Sequence, residues 1–156
     1  MGLDDAGFIL QLLNEPGFMR FIGDKGVRTT ADACDYIAKG PMDSYRRHGF
    51  GLYLVSLRRC GTPVGICGLV KREGLADVDL GFAFLAAHWS KGYAAESAAA
   101  VHDYGRRVLG IKRVVAITAP DNAGSIAVLE KIGLRFAGRI RLSDDGPELN
   151  LFGPEA

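Results

Sequence analysis

The stretch of sequence best suited to chemistry is a short glycine-containing loop between a predicted strand and a predicted helix. The strand is expected over Val78–Leu85, and the loop with the first helical turn covers Trp89–Glu96, with the sequence WSKGYAAE. The first N–H groups of a helix lack internal partners and lie at the positive end of the helix dipole, so such a loop can bind a phosphate. Gly92 would allow close approach of the backbone. An ordinary helix start with glycine in the turn is the alternative.

Two common nucleotide-binding patterns are missing from this sequence. It contains no Gly-x-Gly-x-x-Gly run after a strand and no Gly-x-x-x-x-Gly-Lys-Ser/Thr. The strand before the loop contains Gly81, and a glycine inside a strand usually marks a bulge or the close approach of another backbone. A strand splayed from its neighbour leaves unpaired N–H and C=O groups, which the amides of a pantetheine arm could satisfy. These features together point to coenzyme A.

A second motif lies further along the chain, where Asp121–Leu134 has the sequence DNAGSIAVLEKIGL. The two motifs closely resemble the pyrophosphate loop and the Asn-x-x-Ser helix of the GNAT acetyltransferase superfamily, in the subgroup that includes ribosomal-protein N-terminal acetyltransferases. They occur in the expected order, and the resemblance extends over roughly Phe8 to Phe152. It implies one domain over residues 1–156 of the α+β class, with a mixed, mostly antiparallel twisted sheet flanked by helices. A splayed central strand pair would hold acyl-CoA.

The resemblance also implies which residues bind the cosubstrate. The strand backbone would hold the pantetheine arm, the loop would hold the pyrophosphate, and Asn122 would bond the arm from the far side. The implied set is Phe82, Ala83, Phe84, Ser90, Lys91, Gly92, Tyr93, Ala94, Ala95, Asn122 and Ser125. Asn122 could equally be a helix N-cap, and Lys91 could face either the phosphates or solvent.

The catalytic residues depart from the commoner pattern of the superfamily. Many members place a tyrosine seven residues after the Asn to protonate the departing thiolate, but here that position is Leu129. The resemblance then gives this role to Ser125, which could instead simply start its helix. A base must also take a proton from the amine, and Asp144 is our candidate, although Asp144–Pro147 is also typical of a turn. The other acidic candidates are Glu73, Asp79, Asp145 and Glu148.

The first fifty residues are predicted to be mainly helical. A first helix is expected from Asp4 or Asp5, as the N-cap, to the residue before Pro16. Thr29 and Asp32 have the spacing of a capping box for a second helix, which the glycine and proline at positions 40 and 41 are expected to close. The resemblance implies a further strand before the first helix, where this sequence has only three residues.

The remaining elements are predicted to alternate between strands and helices. Period-2 patterns and turn residues indicate strands, whereas an apolar stripe at helical spacing indicates a long helix. The expected ranges are strands over Leu52–Leu57, Val64–Val70 and Val78–Leu85, a helix over Ala94–Leu109, a strand over Arg113–Thr118, a helix over Ser125–Ile132, and strands over Phe136–Leu142 and Leu149–Phe152.

Composition excludes several classes of function. A formal net charge of +1 provides no field that could hold nucleic acid. The three cysteines have no paired spacing, which argues against both a disulfide framework and a metal site and favours a cytoplasmic location. No apolar stretch approaches the ~20 residues that span a bilayer, and the start lacks the features of a signal peptide, so no membrane partner is expected.

The function expected is transfer of an acetyl group from acetyl-CoA to a primary amine, either a protein N-terminus or a small molecule. The amine would attack the thioester directly while both substrates are bound, so acetyl-CoA and the amine are the expected partners, and the chain could also form a homodimer. A catalytically silent acyl-CoA-binding or sensing module on the same scaffold is the alternative, because a fold alone does not fix a function.

Overall fold

A six-stranded sheet with helices on both faces organises the computed structural model, which describes residues 1–155. The helices are α1 Ala6–Leu13, α2 Pro16–Phe21, α3 Thr30–Ile37, α4 Asp43–His48, α5 Tyr93–Arg107 and α6 Ala123–Lys131. The strands are β1 Leu52–Ser56, β2 Pro63–Val70, β3 Val78–Phe84, β4 Val114–Thr118, β5 Leu134–Ile140 and β6 Leu149–Pro154. Each strand and helix predicted from residue 52 onwards is confirmed, with boundaries that differ by one or two residues.

The strand order is β1-β2-β3-β4-β6-β5, and only the central β3–β4 pair is parallel. This confirms the predicted α+β class with a mixed, mostly antiparallel sheet. The parallel pair is short: Val78 lies opposite Val114 and Asp79 opposite Val115, and β3 then continues without a partner on that side. The predicted splayed central strand pair is therefore present.

Each face of the sheet carries its own hydrophobic core. On one face α1 and α3 bury Ile9, Leu12 and Ile37 against the sheet. On the other face α5 and α6 bury residues such as Ala98 and Leu129, both fully inaccessible to solvent. Because side chains alternate along a strand, β3 contributes to both cores, and its open edge lies between them.

The helical region before the sheet differs from the prediction at the expected end of the second helix. The capping box is confirmed, since the Asp32 N–H donates to Thr29 Oγ1 at 3.1 Å and the Thr29 N–H donates to Asp32 Oδ2 at 3.2 Å. Closure at positions 40 and 41 is wrong, because the chain passes through a wide π turn, Ala38–Met42, into α4 and stops at Gly49. A proline lacks an N–H donor, and the widened turn accommodates that loss without breaking the helical path.

The start of the chain also departs from expectation. The carboxylate of Asp5 does not cap α1, because its Oδ2 accepts a hydrogen bond from the Gly2 N–H at 2.9 Å. Helix α2 was not predicted, although Pro16 occupies its first position, where a proline is well tolerated. In the described chain the first strand is β1, so the opening strand implied by the resemblance is not found there.

The glycine in the middle of β3 does not mark a bulge. The register between β2 and β3 is regular, with Gly81 opposite Gly68, and the irregularities occur instead in β1 after Val55 and in β5 after Phe136. Neither of the two alternatives for Gly81 is found: there is no bulge, and a Cβ placed there would meet only side-chain atoms, Leu52 Cδ2 at 3.6 Å and Arg72 Nη2 at 3.9 Å. The divergence of β3 comes from its short pairing with β4. Within residues 1–155, no helix combines the length and apolar character needed to cross a membrane.

Candidate active site

A cavity of about 780 Å³ opens beside the unpaired part of β3. Its walls come from four places in the chain: the end of β3, the loop into α5, the start of α6, and one side of α2. All of the predicted site residues line this cavity except Lys91 and Asp144. Lys91 is exposed in the loop before α5, and Asp144 is exposed in the turn between β5 and β6.

The start of α5 provides unused backbone donors. The first α-helical hydrogen bond runs from the Glu96 N–H to the Gly92 carbonyl at 3.0 Å, so the amides of Tyr93, Ala94 and Ala95 have no partner within the helix. No side chain caps this end. Ser90 has a φ of 60° and Gly92 a φ of 85°, and such turns in the left-handed region let successive N–H groups point to one side. This arrangement suits a phosphate group.

The open edge of β3 presents further backbone groups to the same cavity. The Leu85 N–H donates to the Val64 carbonyl at 3.0 Å, which fixes the alternation along the ladder between β2 and β3. The backbone of Ala83 therefore faces β2, whereas the N–H and C=O groups of Phe82 and Phe84 face the gap towards β4. Among the three strand residues implied to hold a pantetheine arm, Phe82 offers both backbone groups and Phe84 its N–H, because the Phe84 carbonyl accepts a hydrogen bond from Trp89. Ala83 offers its side chain to the cavity wall.

Trp89 joins the strand, the loop and α2. Its indole Nε1–H donates to the Phe84 carbonyl at 2.9 Å, and its ring lies against Gly17, where a Cβ atom would come within 2.6 Å of the ring. The Glu15 carboxylate also accepts a hydrogen bond from the Ala86 N–H at 2.8 Å. These contacts hold the start of α2 against the chain that leaves β3, and they were not predicted from the sequence.

Another contact of the cavity wall, between α2 and the loop before α6, was also not predicted. The Arg20 side chain on α2 forms an ion pair of 3.4 Å with Asp121, which bridges α2 to the loop before α6, although both groups are well exposed. His88 lines the cavity, and its Nδ1 is buried without a hydrogen-bond partner among residues 1–155. The only signal in the sequence for the role of α2 is the Pro16–Gly17 pair, because that glycine permits the close approach of Trp89.

The start of α6 presents the two residues of the second motif. Asn122 is the N-cap of the helix, and its Oδ1 accepts a hydrogen bond from the Ser125 N–H at 3.2 Å. The helix begins at Ala123, so Ser125 does not start it. The Ser125 hydroxyl makes no hydrogen bond to another described residue and lies on the cavity wall. Leu129, at the position where many members of the superfamily have a tyrosine, is fully buried in the core.

The acidic candidates for a base have different surroundings. Asp79 is 1% exposed and accepts a hydrogen bond from Arg72 Nε at 2.6 Å; burial raises the pKa of its carboxyl, and the charge of Arg72 offsets part of this effect. Glu148 forms an ion pair with Arg139 at 3.0 Å. Two further candidates, Asp145 and Glu73, are exposed in turns, where Asp145 accepts a hydrogen bond from Ser143 at 3.2 Å.

The cysteines stand apart from the cavity. All three are free thiols, and none of them lines its wall. Burial raises the pKa of the Cys67 thiol to about 12, which keeps it protonated and unsuited to nucleophilic attack. Cys67 in β2 is buried and Cys34 in α3 is half-buried, whereas Cys60 is exposed in the turn between β1 and β2.

Comparison with known proteins decides the family. Residues 1–135 match the model of the acetyltransferase (GNAT) domain. The chain belongs to the GNAT acetyltransferase family. As a GNAT protein it is an acyltransferase, and the family resemblance drawn from its two motifs is confirmed.

Its relatives and structural neighbours agree with this assignment. The chain is 31% identical over 141 residues to the protein YkkB of Bacillus subtilis (strain 168). The aligned region covers 88% of this chain and 80% of YkkB. Its fold is similar to that of a GNAT-family acetyltransferase from Bacillus anthracis, with a TM-score of 0.78 and 24% identity over 98% of this chain and 90% of that one. It is also similar to RimL, a ribosomal L7/L12 α-N-protein acetyltransferase solved with coenzyme A. That match has a TM-score of 0.84 and 16% identity, covering 98% of this chain and 89% of RimL.

Proposed function

We propose that this GNAT protein transfers an acetyl group from acetyl-CoA to a primary amine by direct attack in a ternary complex. The observation that carries the proposal is that one cavity contains both the free amides of Tyr93–Ala95 and the open edge of β3. An anion site and a row of unpaired backbone groups are what a diphosphate followed by an amide-containing arm requires. RimL, a structural neighbour, is described in complex with coenzyme A, which supports the same use of the scaffold.

Each end of the cosubstrate has a matching part of the site. The first amides of α5 and the loop Ser90–Gly92 would hold the diphosphate, because they present N–H groups at the positive end of a 15-residue helix. The C=O and N–H groups of Phe82 would pair with the amides of the arm or with the thioester. The Asn122 amide nitrogen makes no bond to another described residue, so it can donate to the arm from the opposite wall. When bound, the cosubstrate supplies an activated acetyl thioester.

The chain's own groups would then promote the transfer. A backbone N–H of the open β3 edge, which we assign to Phe82, would stabilise negative charge on the thioester oxygen. A primary amine has a pKa of about 8 to 10, so a base must take its proton, and Asp144 remains our proposal for this role, directly or through water. Ser125 would donate a proton to the departing sulfur. A thiol has a pKa of about 8.5, so a weak donor such as a hydroxyl suffices.

Two measurements on one preparation test this proposal. Calorimetry should show that CoA and acetyl-CoA bind, and saturating ligand should raise the unfolding temperature, since a ligand that binds only the folded state stabilises it. Release of free CoA thiol from acetyl-CoA should then depend on added amine, measured with a panel of amino acids, peptides, polyamines and amino sugars. Tight CoA binding with no amine-dependent thiol release would favour the silent binding module, and absence of CoA binding would refute the site itself.

Several other properties of this protein stay predictions. They are a single domain over residues 1–156, a cytoplasmic location, the absence of nucleic-acid and membrane partners, and the possibility of a homodimer. The structural neighbours act on or bind different amines, since they include a spermidine N-acetyltransferase chimera and AAC(6')-Ib in complex with Parmomycin and acetyl-CoA. Fold similarity therefore does not identify the amine substrate, which depends on this chain's own residues.

A further inference from the structure

Arg72, in the turn between β2 and β3, lies beside the open edge of β3. Its Nε donates to Asp79 Oδ2 at 2.6 Å, and the Asp79 side chain is 1% exposed whereas that of Arg72 is 33% exposed. A buried carboxylate thus holds one edge of the guanidinium group in place. The Arg72 side chain as a whole is still partly accessible to solvent.

The free edge of this guanidinium lies over Gly81. Arg72 Nη2 is 3.9 Å from the position that a Cβ on Gly81 would occupy, and the nearest other group there is Leu52 Cδ2 at 3.6 Å. Among residues 1–155, neither Nη1 nor Nη2 makes a hydrogen bond or an ion pair. A guanidinium presents paired N–H donors that can form two parallel hydrogen bonds to a carboxylate. We call the Nη1 and Nη2 groups of Arg72 the guanidinium fork. Asp79 holds the fork in place through Nε, and the donors of the fork are available to an anion.

This fork is close to the place where the acetyl group would react. Gly81 immediately precedes Phe82, whose N–H faces the gap beside β3, so Nη2 lies within about 8 Å of that N–H by covalent geometry. The Asp79 side chain, and a Cβ placed on Gly81, point to the α1 and α3 face of the sheet, opposite to the face on which Phe82 packs with the α5 and α6 core. An amine that reached the thioester through the gap from the α1 and α3 face would pass Arg72.

The charges nearby reinforce the attraction for an anion. Partial desolvation and the charge of Arg72 lower the pKa of the Lys25 ammonium, although this side chain lies at the surface, so the two cations act on each other. Lys25 has no ion-pair partner among residues 1–155. Tyr36 is close enough for the charge of Arg72 to offset part of the rise in pKa that burial imposes on its hydroxyl. A polycationic amine would meet repulsion at this face.

We infer that Arg72 binds a carboxylate carried by the acceptor close to its reacting amine. The substrate class is therefore a short amino carboxylate, such as a free amino acid, rather than a polyamine or an amino sugar. This inference rests on the proposed function, since it concerns the second substrate of the same site. An acidic residue at the N-terminus of a peptide presents the same chemistry and is distinguished by the experiment below.

The experiment compares matched pairs of acceptors and matched variants. Each amino acid is assayed beside its carboxamide, which keeps the amine and removes the carboxylate charge, and a peptide amide with an N-terminal aspartate is assayed beside one with asparagine. The wild-type protein should show a kcat/KM at least tenfold higher for the free amino acid. Arg72→Gln should lower that value ten- to a hundredfold, mainly through KM, and leave the carboxamide unchanged. If only the aspartyl peptide is preferred, the carboxylate belongs to a peptide side chain, and the inference that the substrate is a free amino acid is overturned.

Two further variants protect the test from a folding artefact. Arg72→Gln leaves Asp79 buried without its cation, so the double variant Arg72→Gln with Asp79→Asn replaces the ion pair by a neutral hydrogen-bonded pair, and its unfolding midpoint is measured. Arg107→Gln is the control, because Arg107 also forms an Arg–Asp pair, with Asp103 at 2.9 Å, on the exposed last turn of α5. The control should keep the wild-type ratio between acid and amide.

The outcomes separate this inference from the proposed function. Equal kcat/KM for acids and carboxamides in the wild type, or an unchanged ratio in a folded Arg72→Gln variant, overturns the inference while acetyl transfer stands. Lack of turnover with every amine overturns the proposed function; calorimetric titration of amino acids into the CoA complex then decides the inference. Binding that Arg72→Gln abolishes would support it, and absence of binding would overturn it.

Discussion

Substitution of Gly92 provides the sharpest test of the diphosphate site. Gly92 precedes α5 with a φ of 85°, and a Cβ placed there would meet no atom within 4 Å. Gly92→Asp and Gly92→Asn therefore introduce side chains of nearly equal size without a steric clash. Aspartate and asparagine both tolerate the left-handed region better than most residues, so the backbone strain is similar in the two variants. Only the charge differs between them.

The size of the expected loss in CoA affinity follows from the position of the free amides of Tyr93–Ala95. A phosphate held by these groups would lie roughly 5 Å from the new carboxylate, and at an effective dielectric constant of about 20 the repulsion is about 3 kcal/mol. Gly92 is exposed, so screening by solvent reduces this to about 2 kcal/mol, or roughly a 30-fold loss of CoA affinity relative to asparagine. In the free protein the same carboxylate interacts favourably with the helix dipole, by about 0.3 to 1 kcal/mol.

The assay combines titration calorimetry with thermal unfolding. Gly92→Asp should unfold at or above the temperature of Gly92→Asn without ligand, yet bind CoA about 30-fold more weakly. The difference in affinity should shrink at 1 M salt, where the Debye length falls to about 3 Å. Equal CoA dissociation constants for the two folded variants at low salt would show that no phosphate lies at the start of α5, and would refute the reasoning.

Four further outcomes are expected. Ser125→Ala should lower kcat ten- to a thousandfold, about 1.4 to 4 kcal/mol of barrier, without changing CoA affinity or the unfolding midpoint, because its hydroxyl makes no bond to the described chain; wild-type turnover would remove its catalytic role. Asn122→Ala should cost about 1 kcal/mol of stability through loss of the cap and should also weaken CoA binding, whereas Asn122→Ser should restore stability alone. Asp144→Asn should lower kcat/KM near neutral pH without changing CoA affinity, and a kcat/KM equal to that of the wild type would exclude Asp144 as the base. Iodoacetamide should label Cys60 well before Cys67, as followed by mass spectrometry. The hydrogen bond to the Thr62 side chain lowers the pKa of the Cys60 thiol, whereas the Cys67 thiol, with a pKa of about 12, is only about one part in ten thousand thiolate at pH 8.

Local patterns predicted the parts of the site that short segments build. The loop before α5 lies within one continuous stretch, so residue type and spacing were enough to predict an anion site at Gly92. The family resemblance, and not spacing, assigned Asn122 and Ser125 to the same site, and all three line one cavity. The sheet followed from period-2 patterns in the same way. The helical end at positions 40 and 41 failed because a π turn can absorb a proline, and nothing in the local pattern distinguishes that turn from a stop.

Contacts between distant segments could not be predicted. The position of Arg72 over Gly81 depends on the register between β2 and β3 and on a buried Asp79, which a sequence pattern does not reveal. The same holds for α2, which is six residues long and lines one side of the cavity, where it contacts Trp89 and Asp121. Its sequence, PGFMRF, carries too few residues for an apolar period to be recognised.

The contact between Gly17 and Trp89 has a consequence for how homologous sequences can diverge. A methyl group at position 17 would come within 2.6 Å of the indole ring, so the ring would have to shift, and a shift would strain its hydrogen bond to the Phe84 carbonyl. The two positions are therefore expected to change together. Lineages that keep a tryptophan at 89 should retain glycine at 17, and those that acquire a larger residue at 17 should carry a smaller one at 89. Replacement of tryptophan must come first, since a mutational path that enlarges position 17 passes through a clashing intermediate.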